Sequence, residues 1–119
     1  MKRDESVYLR HILDAISKIG LYLQDVSEGA FAQHSLTQDG VIRQLEIIGE
    51  AVKRLSVALR SQQPQIPWQD IAGMRDKLIH DYFGVDIDKV WLTAKEDLAA
   101  LEAATKAILR SLSHDSDKE

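Results

Sequence analysis

Residues 41–55 read VIRQLEIIGEAVKRL, and their spacing decides the fold class. Val41, Leu45, Ile48, Val52 and Leu55 recur in alternating steps of four and three, and Leu59 continues the row. That is the period of one face of an α-helix, close to the seam of a coiled coil. A half-buried strand would alternate at period two, and no segment of the chain sustains that. Gly49 lies beside the seam, where it costs about 1 kcal/mol of helix propensity against alanine. A close approach by another backbone is the expected reason for it. Ser35 with Gln38 matches a capping box, in which each side chain satisfies an orphan backbone donor. A helix is therefore expected from about Leu36 to Arg60.

The same reading extends in both directions. Tyr8, Ile12, Ala15, Ile16, Ile19, Leu23 and Val26 form one stripe, predicting a helix over 4–28 with Gly29 as its C′ residue and GAFAQHS as a loop. Pro64 and Pro67, the two prolines of the chain, mark one joint. Pro67 suits the first turn of a new helix, because its missing N–H is not needed there. That third, short helix is expected over 68–82, with Gly84 able to close it. The fourth starts near Asp86, where Asp86 and Asp88 complement the helix dipole. Its stripe is Ile87, Val90, Trp91, Ala94, Leu98, Leu101, Thr105, Ile108 and Leu112. Short joints favour antiparallel neighbours, so the expectation is an all-α, up-and-down antiparallel bundle of four main helices. It fills a single domain over 1–112, and the polar tail 113–119 is expected to fray. Trp68 and Trp91 sit on apolar stripes and read as core or interface anchors rather than base-stacking platforms.

Composition narrows the function. A chain of 119 residues supports one core. There is no cysteine, hence no disulfide and no thiolate metal site. The four histidines (11, 34, 80 and 114) lack ligand spacing, and HExxH, ExxH and phosphate-loop glycine motifs are absent. No metal and no cofactor is expected. The N-terminal MKRDESVY is not a signal peptide and no apolar run is long enough to span a membrane, so a cytoplasmic protein without a membrane partner is expected. The net charge of −4 runs against nucleic-acid binding unless a local basic patch overrides it.

Chemistry concentrates in residues 74–84, MRDKLIHDYFG. Arginine presents a fixed fork of donors that fits phosphate and stays charged. Histidine, with an ordinary pKa of ~6.5, takes or gives a proton near neutrality. Tyrosine offers a hydrogen bond or a nucleophilic oxygen. RNA carries its own nucleophile, the 2′-hydroxyl, so Arg and His suffice to cleave it without a metal. Arg75 and Tyr82 are seven apart and share a helical face. Arg75 and His80 are five apart, or roughly 140° around an ideal helix. Either the helix ends or bends near His80, or a second chain completes the site; we expect both. Taken singly, an Arg or His on a helix is as a rule a solvated structural residue.

Arg75, His80 and Tyr82 together spell RxxxxHxY, which resembles the signature of HEPN-domain ribonucleases and in particular of the HepT-type toxins of toxin–antitoxin pairs. LEIIGEA over 45–51, Ile66-Pro67-Trp68 before the motif helix and Phe83-Gly84-Val85-Asp86 after the motif are also similar to that family. The residue after the motif arginine is often asparagine there and is Asp76 here. The resemblance implies a metal-independent endoribonuclease that acts as a homodimer, with a composite cleft where two motif helices meet. It assigns Arg75 to the scissile phosphate, His80 to proton transfer and Tyr82 to positioning. Asp76, Lys77 and Glu50 are candidates for supporting positions around them. It also implies a nucleotidyltransferase antitoxin that silences the toxin by AMPylation, attaching AMP to Tyr82. The alternative is a non-catalytic HEPN module that binds nucleotide, RNA or a protein partner, which Asp76 and the acidic net charge favour. Glu46 and Glu50 invite a metal reading, but pairing of Glu50 with Arg54 and Lys53 along one face explains them better. Arg43, Lys53, Arg54 and Lys77 form either an RNA approach or a solvated mixed-charge face.

Overall fold

The computed structural model describes residues 4–80 and 86–117, with side chains described over 4–74 and 86–113. Among the described residues there is no strand. The helices are α1 (Ser6–Tyr22), α2 (Glu28–Gln33), α3 (Ser35–Lys53), α4 (Val57–Arg60), α5 (Trp68–His80), α6 (Ile87–Leu92) and α7 (Leu98–Asp117). A π-helical segment, Thr93–Asp97, joins α6 to α7 without a break. The expected all-α bundle is what forms.

Helix α3 is its centre: α1 and α5 both pack against it, and α7 packs on α1. The seam that decides the fold class is buried along its length, with Val41, Ile48 and Val52 at 0% exposure and Leu45 at 1%. Leu9, Ile12 and Ile19 face it from α1, and Leu101 and Ile108 join from α7. Each such side chain taken out of water contributes about 1.5–3 kcal/mol. Gly49 is buried on α3 within this packing. On α1 the fully buried position in the first turn is Leu9, while Tyr8 sits at the core's edge. Thr105 is the one hydroxyl in the fourth stripe; fully buried, it donates to the Leu101 carbonyl at 2.7 Å. The helix start is held by Asp4, whose Oδ1 accepts from the Ser6 amide and hydroxyl, and those two bonds keep its carboxyl below the ordinary value.

Several boundaries differ from the sequence expectation. The first long helix ends at Tyr22 rather than near Glu28, because Asp25 adopts a left-handed conformation at φ 58°. Aspartate tolerates that region better than most side chains. The stretch expected as a loop then contains α2: the Ser27 hydroxyl caps it by accepting from the Ala30 amide at 3.1 Å, and Phe31 is buried. Gly29 is inside α2, not a C′ residue. Ser35 does not cap the next helix. His34 does, its Nδ1 accepting from the Thr37 amide at 3.2 Å, while Gln38 donates to the carbonyls of Phe31 and Ala32. The second long helix ends at Lys53 and restarts as α4. The Ser56 hydroxyl caps α4 through the Leu59 amide, and the Glu5 carboxylate takes the Ser56 amide at 2.5 Å. The fourth helix continues through the tail to Asp117, beyond the expected Leu112.

The proline joint is tied by one side chain. Trp68 is buried and its Nε1 donates to the carbonyls of Arg60 and Gln63 at 3.0 and 2.9 Å. Pro67 immediately precedes α5, and its carbonyl accepts the Ile71 amide. Asp86 caps α6 by accepting from the Lys89 amide at 3.3 Å. Trp91 is half-buried, with its ring 5.4 Å from that of Phe31, so both tryptophans are anchors as expected.

Phe31 separates the observed α2 from the expected loop. Phe31→Ala should lower the unfolding free energy by about 3–5 kcal/mol, as for a core aromatic. A loop side chain would cost less than about 0.5 kcal/mol. Urea denaturation followed by circular dichroism measures the difference.

Candidate functional site

Helix α5 carries the motif, and the joint that starts it is fixed by Trp68 as described above. Its backbone is α-helical from Trp68 to His80, the last described residue before 86. Arg75, Asp76, Lys77 and His80 are on this helix; their side chains lie outside the described residues, and so does Tyr82 altogether. The helical assignment continues unbroken to His80. The positions of Arg75 and His80 are therefore separated by roughly 7.5 Å along one helix axis and roughly 140° around it. A straight helix does not bring two such positions to one phosphate. The first route that the sequence leaves open, an end or bend of the helix near His80, involves 81–85, which lie outside the described residues.

Glu50 is on α3 and half-buried, with its Oε1 3.3 Å from both Nε and Nη2 of Arg54. That is the i,i+4 pairing expected of it. The Arg54 guanidinium in turn lies 6.0 Å from the centroid of the Tyr8 ring. Arg43 is 3.7 Å from Glu46. Two of the cations considered as an RNA approach, Arg43 and Arg54, are thus engaged with acids about one turn away. Lys95 stands 4.9 Å over the Trp91 ring. Among the described residues no group of three His, Cys, Asp or Glu is placed to hold a metal. No described helix is long and apolar enough to cross a membrane.

Sequence reasoning missed a groove of about 910 Å3. It runs between the first half of α5 and the continuous rod of α6, the π segment and α7. Met74 and Asp86 stand in its two walls. These are the described residues on either side of the segment 75–85, whose side chains lie outside the described residues. Apolar periodicity identifies buried positions only; a gap between two helical elements leaves no such trace.

The family model described as "Ribonuclease HepT-like" matches residues 12–108, which include the whole motif. Among curated proteins, the chain is 45% identical over 102 residues to "Probable ribonuclease HepT" of Thermococcus cleftensis, covering 86% of this chain and 93% of that one. It is 40% identical over 111 residues to "Putative RNase MJ0125" of Methanocaldococcus jannaschii, covering 93% and 96%. It is also 42% identical over 112 residues to "Gamma-glutamylcyclotransferase and putative RNase MJ0434" of the same organism. That alignment takes in 94% of this chain and half the length of the relative. No solved structure matches. With an all-α bundle built on the LEIIGEA helix and a family match running from α1 into α7, the chain belongs to the HepT-like ribonuclease family.

Proposed function

We propose that this chain is a metal-independent endoribonuclease toxin that acts in the cytoplasm as a homodimer and is silenced by a nucleotidyltransferase antitoxin. The observation that carries the reading is RxxxxHxY on and just after α5, within the stretch that matches the family. In the proposed reaction the 2′-oxygen attacks phosphorus and the P–O5′ bond breaks, giving a 2′,3′-cyclic phosphate and a 5′-hydroxyl. His80 takes the proton from the 2′-hydroxyl or returns one to the leaving 5′-oxygen. Arg75 holds the non-bridging oxygens and stabilises the charge that develops on them. Tyr82 orients the phosphate. The angular separation of Arg75 and His80 along one helix, five positions apart, supports a composite site, in which the second copy supplies the missing group. Asp76, Lys77 and Glu50 would support the guanidinium and the substrate from around the site.

For regulation, the partner transfers AMP from ATP to the Tyr82 oxygen and releases pyrophosphate. The added phosphate competes with RNA for Arg75, and the adenosine fills the cleft. A second reading, a non-catalytic module that binds nucleotide, RNA or the partner, is favoured by Asp76 beside Arg75 and by the net charge of −4. Asp76→Asn removes that carboxylate, and a gain of cleavage in this variant would explain a weak wild type.

Cleavage of a short RNA should survive EDTA and leave 2′,3′-cyclic ends. Arg75→Ala and His80→Ala should abolish it while changing stability by less than ~1 kcal/mol, as expected of surface groups. Loss in EDTA with rescue by Mg²⁺ contradicts the mechanism; an inactive wild type with intact RNA binding selects the second reading.

Light scattering at micromolar concentration should return about twice the 13.4 kDa chain mass. A monomer throughout that range removes the composite site.

Incubation with the partner and ATP should add the mass of AMP to the wild type and nothing to Tyr82→Phe. A gain that persists in Tyr82→Phe moves the modification elsewhere, and no gain on either protein points to inhibition by binding alone.

A further inference from the structure

The groove between α5 and the α6–π–α7 rod has a chemistry that the proposed reaction does not use. Its floor is apolar, made by Leu45, Ile66, Ile71, Val90 and Leu101. Its rim is acidic: Asp70 on the α5 side faces Asp86, Glu96 and Asp97 on the other, with Lys89 the single cation among the described lining residues. All five rim groups are exposed to solvent. The Asp86 carboxylate is committed to capping α6. Asp70, Glu96 and Asp97 form no ion pair with any described residue, whereas Glu46, Glu50 and Glu102 do. The π segment contributes to the same place: Thr93, Glu96 and Asp97 belong to it and line the groove. Such segments are uncommon and recur at functional sites.

An RNA strand does not fit here, since phosphates would meet uncompensated carboxylates at close range. A second copy of the chain fits poorly too. It brings a net charge of −4, and two of its described cations, Arg43 and Arg54, already pair with Glu46 and Glu50. An apolar floor between acidic rims complements a helix with one apolar stripe and cationic flanks. We infer that this groove docks a basic amphipathic helix of a partner protein, its apolar stripe on the floor and its Lys or Arg side chains on Asp70, Glu96 and Asp97. Because Met74 and Asp86 are in the groove walls, the docked helix lies beside the described residues on either side of the segment 75–85. The inference stands on the groove's own chemistry and goes beyond the proposed reaction, whichever partner modifies Tyr82.

The test uses the full chain and a fluorescein-labelled synthetic helix with leucines at i, i+3, i+4 and i+7 and lysines on both flanks. Its counterpart carries glutamate for lysine. In anisotropy titrations the lysine helix should bind saturably at low salt and weaken as salt is added, and the glutamate helix should not bind. Asp70→Lys with Glu96→Lys should weaken binding about tenfold or more, since each change turns an attraction into a repulsion. Asp14→Lys with Asp39→Lys, equal in charge but on α1 and α3, should leave binding within about twofold. Equal weakening by both pairs, or binding of the glutamate helix, overturns the inference. Displacement of the peptide by single-stranded RNA would make the groove a substrate track instead. A change of oligomeric state in the Asp70/Glu96 variant would make it a contact between copies. Parallel RNA cleavage assays keep the two readings apart: an inactive wild type counts against the proposed function and leaves the peptide result standing.

Discussion

Helix α3 has to be covered on more than one side, and the rest of the structure follows from that. Its seam of Val41, Leu45, Ile48 and Val52 is almost wholly removed from water. Neither α1 nor α5 alone achieves this: α1 takes one side, α5 the other, and α7 closes over α1. A helix of this composition has little to hold it in isolation, since most helical stability comes from burial of an apolar face. The position of α5, and hence of any chemistry on it, is therefore inherited from α3. The joint from α4 into α5 is tied by the Trp68 indole to the carbonyls of Arg60 and Gln63, so the motif helix starts from a fixed point.

That arrangement gives α5 two unlike surroundings. One side packs on α3; another opens to the groove shared with the α6–π–α7 rod. The acids on the rod serve different ends. Asp86 terminates a helix start, as its position in the sequence suggests. Glu96 and Asp97 are carried by the π segment, where the wider helical ring alters which positions share a face. The chain is acidic overall, yet Arg43 on α3 and Arg54 at its end are matched about one turn away by Glu46 and Glu50, whereas the groove acids Asp70, Glu96 and Asp97 form no ion pair with any described residue. Charge is thus distributed unevenly around the motif helix, which matters for a protein whose family acts on a polyanion.

How much of this could be read from the chain differs by feature. The helical class, the proline joint, the α6 start at Asp86 and the anchoring roles of Trp68 and Trp91 all follow from spacing and local chemistry. So does the Glu50–Arg54 pair. The breaks inside the first and second helices do not. Leu23 and Val26 keep helical spacing with Ile19, and Leu55 and Leu59 keep it with Val52, yet the backbone leaves the helix at both places. Burial demands apolar residues there whether or not the helix continues, so the periodicity survives the turn. Ser35 with Gln38 formed a plausible box by pattern, but Gln38 is drawn to the end of α2 instead.

What the sequence by itself determined is the set of side chains that must be buried, the helical period that buries them, and the motif whose residue types suit RNA. Those are local properties, set by spacing along one chain. What only the tertiary structure decided is where the helices break and what lies between them. The break before α4 is held by Glu5 reaching the Ser56 amide from 51 positions away, a contact with no local signature. The groove beside the motif lies between α5 and the α6–π–α7 rod, and its acidic rim gathers residues from α5, the cap of α6 and the π segment. Linear order separates those charges by up to 27 positions, and only packing brings them to the edges of one groove.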